Sequence, residues 1–249
     1  MRRVALRLTT ALLMSTAGPS YGANITVNGT TVTISGGIQP GDFEAFKAAV
    51  FGKANATIIL QSRGGNLGAA LPIGDLISER HYATHVPELC TSACGLIFLA
   101  GEPRSKRPQA AVGFHQAAEV AGGKPSSVGY VFVEAYLLRH GYSREVVQFV
   151  NSANPSQMAY LSAAEIKRLN IDVQIAEHPS LAEKQIKPAV TVKYSNLEPA
   201  TAPKPILVPV NHPSVPDALL PWPDNAGDGK EALTEALKVV KRYREKAGL

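Results

Sequence analysis

Ten of the 18 prolines fall between Pro179 and Pro223, and that clustering limits where a folded domain can lie. Proline fixes φ near about −65° and removes a backbone donor, so a segment this dense in it supports neither a helix interior nor a central strand. The stretch VKYSNLEPATAPKPILVPVNHPSVPDALLPWP therefore reads as an extended, polyproline-like linker. The chain divides around it into a leading segment 1–22, a domain 23–177, the proline-rich linker 178–228 and a C-terminal amphipathic helix 229–249. No internal repeat is evident.

The leading segment has the layout of a secretory signal peptide. Arg2, Arg3 and Arg7 make a basic start, Leu8 to Ala17 a short apolar stretch, and Gly18-Pro19 a helix break. Ser20 and Gly22 then put small residues at the −3 and −1 positions of a cleavage site. An exported chain, periplasmic or secreted, is the expectation, in a compartment where disulfides persist. The formal charge of +5, less three arginines, becomes +2 without this segment, so the basic balance is no argument for nucleic-acid binding. No run of about 18 uncharged apolar residues is present, which excludes a multi-spanning membrane protein.

Within 23–177 strand-like and helix-like segments alternate. Asn24–Ser35 alternates β-branched and polar residues around the hairpin dipeptide Asn28-Gly29. Asp42 can cap a helix whose Phe43, Phe46, Ala49 and Val50 share a face. Ala56–Leu60, Thr84–Val86, Ala110–Phe114 and Ile171–Ile175 read as strands. Leu67 to Ile77 (with Pro72 inside), Gly95–Ala100 and Val128–Leu138 read as helices, followed by two more that Ser143 and Ser162 cap. This order predicts an α/β domain with a mainly parallel sheet.

Two short segments carry chemistry. Ser62-Arg63-Gly64-Gly65 follows a strand, and Cys90-Thr91-Ser92-Ala93-Cys94 opens an apolar helix. A serine at a strand-to-helix junction lies near unpaired backbone N–H groups that can receive an oxyanion. A glycine pair on a neighbouring strand end lets another N–H approach a substrate carbonyl. His115, in Phe114-His115-Gln116, supplies an imidazole at the end of an apolar strand.

In order and spacing these segments resemble the Clp protease proteolytic-subunit family, within the Clp/crotonase superfamily, from about Thr31 to Val173. The matching motifs are the Ser62–Gly65 turn, Ser92 with Ala100-Gly101 after the helix, and Phe114-His115-Gln116 behind the basic Arg104, Lys106 and Arg107. Tyr160-Leu161-Ser162-Ala163 and Leu169-Asn170-Ile171-Asp172 complete the set. The resemblance implies a Clp/crotonase-like ββα-repeat fold and a serine peptidase acting on peptides or small protein segments. Ser92 would be its nucleophile and His115 its base, with Gly65 (or Gly64) and Ala93 forming the oxyanion hole. It also implies a homo-oligomer and no cofactor.

The sequence departs from the family at three points. Gln157, Met158 and Ala159 stand where the catalytic Asp is expected, which leaves a dyad or an imidazole oriented by Asn154, Ser156 or Gln157. Arg63 replaces a proline in the glycine turn, and the helical stretch between His115 and Tyr160 is shorter than the family's ring-stacking handle. With export, no ATPase partner is expected. A catalytically inactive Clp-like binding or scaffold protein is the alternative that the missing acid favours. A crotonase-like acyl-CoA enzyme fits less well, because that chemistry has no need of a Ser–His pair.

Cys90 and Cys94 bracket Ser92. After export a disulfide clamping the turn is expected, although i, i+4 spacing lies near the limit of reach at about 6 Å between Cα atoms. Two reduced, buried thiols and a zinc set with His81 and His85 are the other readings. His140, His178 and His212 fall in loop or helix-end contexts and read as surface residues, and Trp222 reads as packing the tail onto the domain. The C-terminal helix gathers Lys238, Lys241, Arg242, Arg244 and Lys246, but Glu231, Glu235 and Glu245 favour a solvated face over membrane contact.

Overall fold

The computed structural model describes residues 22–119 and 122–179, together with Thr234, Leu237, Lys238, Lys241 and Arg242. These last five are helical and exposed. The expectations for the signal segment, the proline-rich linker with His212 and Trp222, and the rest of the C-terminal helix lie outside the described residues.

Alternation in the first strand-like segment produces the hairpin. β1 (Asn24–Asn28) and β2 (Thr31–Ser35) pair antiparallel, Asn24 opposite Ser35, across a turn in which Gly29 takes a φ of 60°. β2 then pairs parallel with β3 (Thr57–Gln61), and β3 with β4 (Ala83–Val86). β6 (Arg104–Lys106) and β9 (Gln174–Ile175) extend this sheet, also in parallel, to the order β1-β2-β3-β4-β6-β9. A second sheet, β5-β7-β8, is built from Leu89–Thr91, Ala111–Phe114 and Ala159–Tyr160. The bridge between Ser62 and Cys90 joins the end of β3 to β5. The architecture is mixed α/β with a mostly parallel sheet, as the alternation implied.

Helices α1 (Asp42–Ala49), α2 (Leu67–Glu79), α3 (Ala93–Ala100), α4 (Ser127–Arg139), α5 (Arg144–Val150) and α6 (Ala163–Arg168) complete the domain. Every residue of α3 is buried, which accounts for an apolar run with no polar face. Asn66, Ser126, Ser143 and Ser162 cap α2, α4, α5 and α6 by accepting backbone N–H bonds. Asp42 does not cap α1: Gly41 holds the cap position, at φ 93°. The Asp42 carboxylate instead accepts from the N–H groups of Ala23 at 2.9 Å and Gln39 at 2.7 Å, tying the hairpin to the helix start.

The strands β5, β6 and β8 have no signature in the sequence. Arg104-Ser105-Lys106 is short and charged, and only its neighbours on both sides make it a strand. In that sheet His85 lies opposite Ser105, and its Nδ1 lies 2.9 Å from Ser105 Oγ. Burial, with Arg107 and His178 nearby, pushes the His85 imidazole down to about 4. It is therefore a neutral core residue at neutral pH.

His140 is also not a surface residue. Its Nε2 lies 2.8 Å from Asp75 Oδ1, and Arg139 Nη2 reaches both oxygens of the same buried carboxylate at 2.7 and 2.6 Å. This cluster pins α4 to α2, a pairing between residues some 65 positions apart that local sequence patterns do not reveal. His178 is exposed.

Candidate active site

Ser92 sits between β5 and α3 with φ 57° and ψ −128°. A non-glycine residue in such a conformation costs roughly 1–3 kcal/mol, so the surroundings must enforce it. The Ser92 N–H donates to Gly113 O on β7 at 2.9 Å, and its carbonyl accepts from Gly95 N–H at 2.9 Å. The hydroxyl makes no capping bond. Ala93, the first helical residue, therefore presents its N–H at the dipole-positive end of α3, beside an uncommitted hydroxyl.

Cys90 and Cys94 are joined as a disulfide with Cα atoms 5.2 Å apart, the first of the three readings of the pair. Both residues are fully buried, and the bridge closes the backbone around Ser92. A zinc set that includes these two sulfurs is thereby overturned, since they are bonded to each other. His81 is exposed beside Glu102, and His85 bonds Ser105. Among the described residues no three His, Cys, Asp or Glu side chains are grouped to hold a metal. In the chain-entropy account a loop this short stabilises by about 2 kcal/mol. Cys90→Ala/Cys94→Ala should lower the unfolding free energy by about that amount in urea titration.

The glycine turn lies against the same corner. A Cβ at Gly64 would meet Thr91 O at 2.6 Å, Ser92 Cβ at 2.7 Å and Ala93 N at 2.8 Å. The Gly64 N–H is engaged within the turn, donating to Ser62 Oγ at 3.0 Å, while Ser62 Oγ donates to Gly36 O at 2.6 Å. At Gly65 the bonding is different. Ile38 bonds Gly64 O and Asn66 N–H on either side of it, so the N–H of Gly65 points away from Ile38. Gly65 is exposed, at φ 144°.

His115 directly follows β7, which runs parallel to β5 with Thr91 opposite Gly113. That register brings the imidazole-bearing strand end beside the start of α3. Nδ1 of His115 lies 2.7 Å from Gln116 O. A carbonyl can only accept, so Nδ1 carries a proton, and in the neutral ring the lone pair is on Nε2. Ser92 Oγ and His115 share no direct hydrogen bond.

Asn154, Ser156 and Gln157 are exposed, and none bonds the imidazole. Their loop instead holds Gln116: Ala153 O accepts its N–H at 2.9 Å, and Asn151 O accepts its side-chain amide at 3.0 Å. Met158 lies over Gly113, its Cγ 2.7 Å from where a Cβ there would stand. An apolar side chain thus packs over this end of β7. The contact between His115 Nδ1 and Gln116 O is not among the sequence expectations. The His-Gln pair was visible there, but a backbone carbonyl has no residue signature.

No protein-family model matches this chain, and no curated protein does. Among solved structures it is similar to a mutant of ClpP1 from Listeria monocytogenes, 21% identical, with 61% of this chain and 93% of that chain covered and a TM-score of 0.48.

Proposed function

We propose that this protein is an exported serine hydrolase that cleaves peptides or small protein segments without ATP. The observation that carries the reading is the Ser92 corner. A strained, disulfide-spanned serine with an uncommitted hydroxyl sits at a helix N-terminus, beside a glycine turn and bonded through its N–H to Gly113 on the strand that leads to His115. Ser92 Oγ attacks the substrate carbonyl while His115 Nε2 takes its proton. The N–H groups of Gly65 and Ala93 receive the oxyanion, and the imidazolium returns the proton to the leaving amine. A water activated by the same imidazole then hydrolyses the acyl-enzyme and restores Ser92. Gln116 O serves as the orienting acceptor for Nδ1. It is neutral where a triad has a carboxylate, so it stabilises the imidazolium less and a slow enzyme is expected.

The Cys90–Cys94 disulfide supports the export reading, because such bonds persist outside the cytoplasm. Exposed Tyr160 and Ile175, half open to solvent at 54% and 49% beside one groove, support self-association into a homo-oligomer. A catalytically silent binding protein is favoured by one observation, the apolar Met158 packed over Gly113, two residues before the base. Purified protein incubated with denatured casein separates the two. Accumulation of peptides at a rate unchanged by ATP, and absent in Ser92→Ala, is the result expected of the hydrolase. Intact casein with the wild-type protein contradicts it.

A further inference from the structure

A groove of about 390 Å³ lies at the glycine turn, lined by Gly36, Gly37, Gln61 and Arg63 together with Glu88 and Leu89. Its floor is the row of strand ends where Gly36 bonds Gln61 O and Ser62 bonds both Leu89 and Thr91. Gly36 and Gly37 add no side chain, so a second chain can lie close to this backbone. Arg63 is the residue immediately before Gly64, and Gly64 packs directly on Ser92.

The charges on this groove are uncompensated. Every other arginine between residues 22 and 179 engages a carbonyl or a carboxylate: Arg80, Arg104, Arg107, Arg139, Arg144 and Arg168. Among the described residues Arg63 engages none, and it is exposed. Glu88, which lines the same groove, is also exposed and makes no ion pair with Arg63. A guanidinium and a carboxylate that share one groove without pairing leave both poles available to a ligand.

We infer that this groove is a substrate subsite in which Arg63 selects a carboxylate side chain on a peptide bound along the glycine turn. The inference rests on the hydrolase reading for calling the ligand a substrate, but not for its binding. A planar guanidinium takes a carboxylate through paired N–H donors. Glu88, in the same groove, selects a basic side chain at another position of the same peptide. The ligand class is therefore an extended peptide with an acidic residue at one fixed position and a basic one at another.

The test is selection from a capped peptide library on immobilised Ser92→Ala protein, with each position in turn Glu, Gln or Lys. Glu should be enriched over Gln by about 5-fold at one position, and Arg63→Gln in the same background should remove that ratio while leaving the Lys preference elsewhere intact. Equal recovery of Glu and Gln at every position, or a Glu preference that survives Arg63→Gln, overturns the subsite. Binding to Ser92→Ala needs no turnover, so the two readings fail separately. A Glu preference lost with Arg63, in a protein whose Ser92 proves unreactive, sinks the hydrolase and keeps the groove.

Discussion

Gly64→Ala should lower kcat/KM on a peptide substrate by about 10³-fold, the scale of losing an oxyanion donor and displacing the nucleophile together. The added Cβ cannot be accommodated by a flexible neighbour. It meets backbone at Thr91 O and Ala93 N, and on its third side the Ser92 Cβ, all within 2.6 to 2.8 Å. Relief requires the turn to move away from the start of α3, which carries the Gly65 N–H out of line with that of Ala93. The φ of 90° at this position adds the usual penalty for an L side chain. Gly52→Ala is the control, since Gly52 has a comparable φ of 71° and nothing within 4 Å of the new Cβ. Both variants pay the backbone term, and only Gly64→Ala should lose the activity. Equal kcat/KM in the two variants, with both folded by circular dichroism, would show that the turn does not serve Ser92.

His115→Ala should reduce kcat by about 10²- to 10³-fold with KM little changed, the contribution of general base catalysis without a charged orienter. The tautomer argument gives this expectation its shape. With Nδ1 donating to Gln116 O, the lone pair of the neutral ring is on Nε2, the atom that the proposed mechanism uses. Gln116→Ala keeps that carbonyl but removes the side-chain bond to Asn151 O, so it should cost less, about 10-fold, through imprecise placement of the ring. A pre-steady-state burst of product reports the acyl-enzyme directly, and its rate should fall with kcat in both variants. Unchanged kcat in His115→Ala would remove the base from the mechanism.

Much of the frame could be read from the amino acids because burial there follows period. The hairpin, the parallel strand β3 and the all-buried helix α3 are written in β-branched alternation and in an unbroken apolar run. Residues 104–106 and 159–160 could not be read the same way, since two- and three-residue strands carry no period and exist only through their neighbours. At the site, residue types pointed to Ser92, His115 and the glycine pair; Gly64 packs on Ser92, and β7 brings Gly113, two residues before His115, to the Ser92 N–H. Two features escaped that reading. The N–H of Gly64 is spent on Ser62 Oγ while that of Gly65 points outward, a distinction made by the bridge to Ile38 and not by residue identity. The acceptor facing Nδ1 of His115 is a backbone carbonyl, where side chains were the expected candidates. Asp42 and His140 escaped for a related reason, because the partners of both carboxylates and imidazoles are fixed by contacts remote in sequence.

The central claim is that the Ser92 hydroxyl is an activated nucleophile, and covalent labelling tests it most directly. Folded protein treated with a fluorophosphonate probe, digested and mapped by mass spectrometry should carry one adduct, on Ser92. The adduct should be absent from Ser92→Ala and from protein unfolded before treatment, and reduced in His115→Ala. An unmodified Ser92 in folded protein, under conditions where a control serine peptidase reacts to completion, would contradict the account.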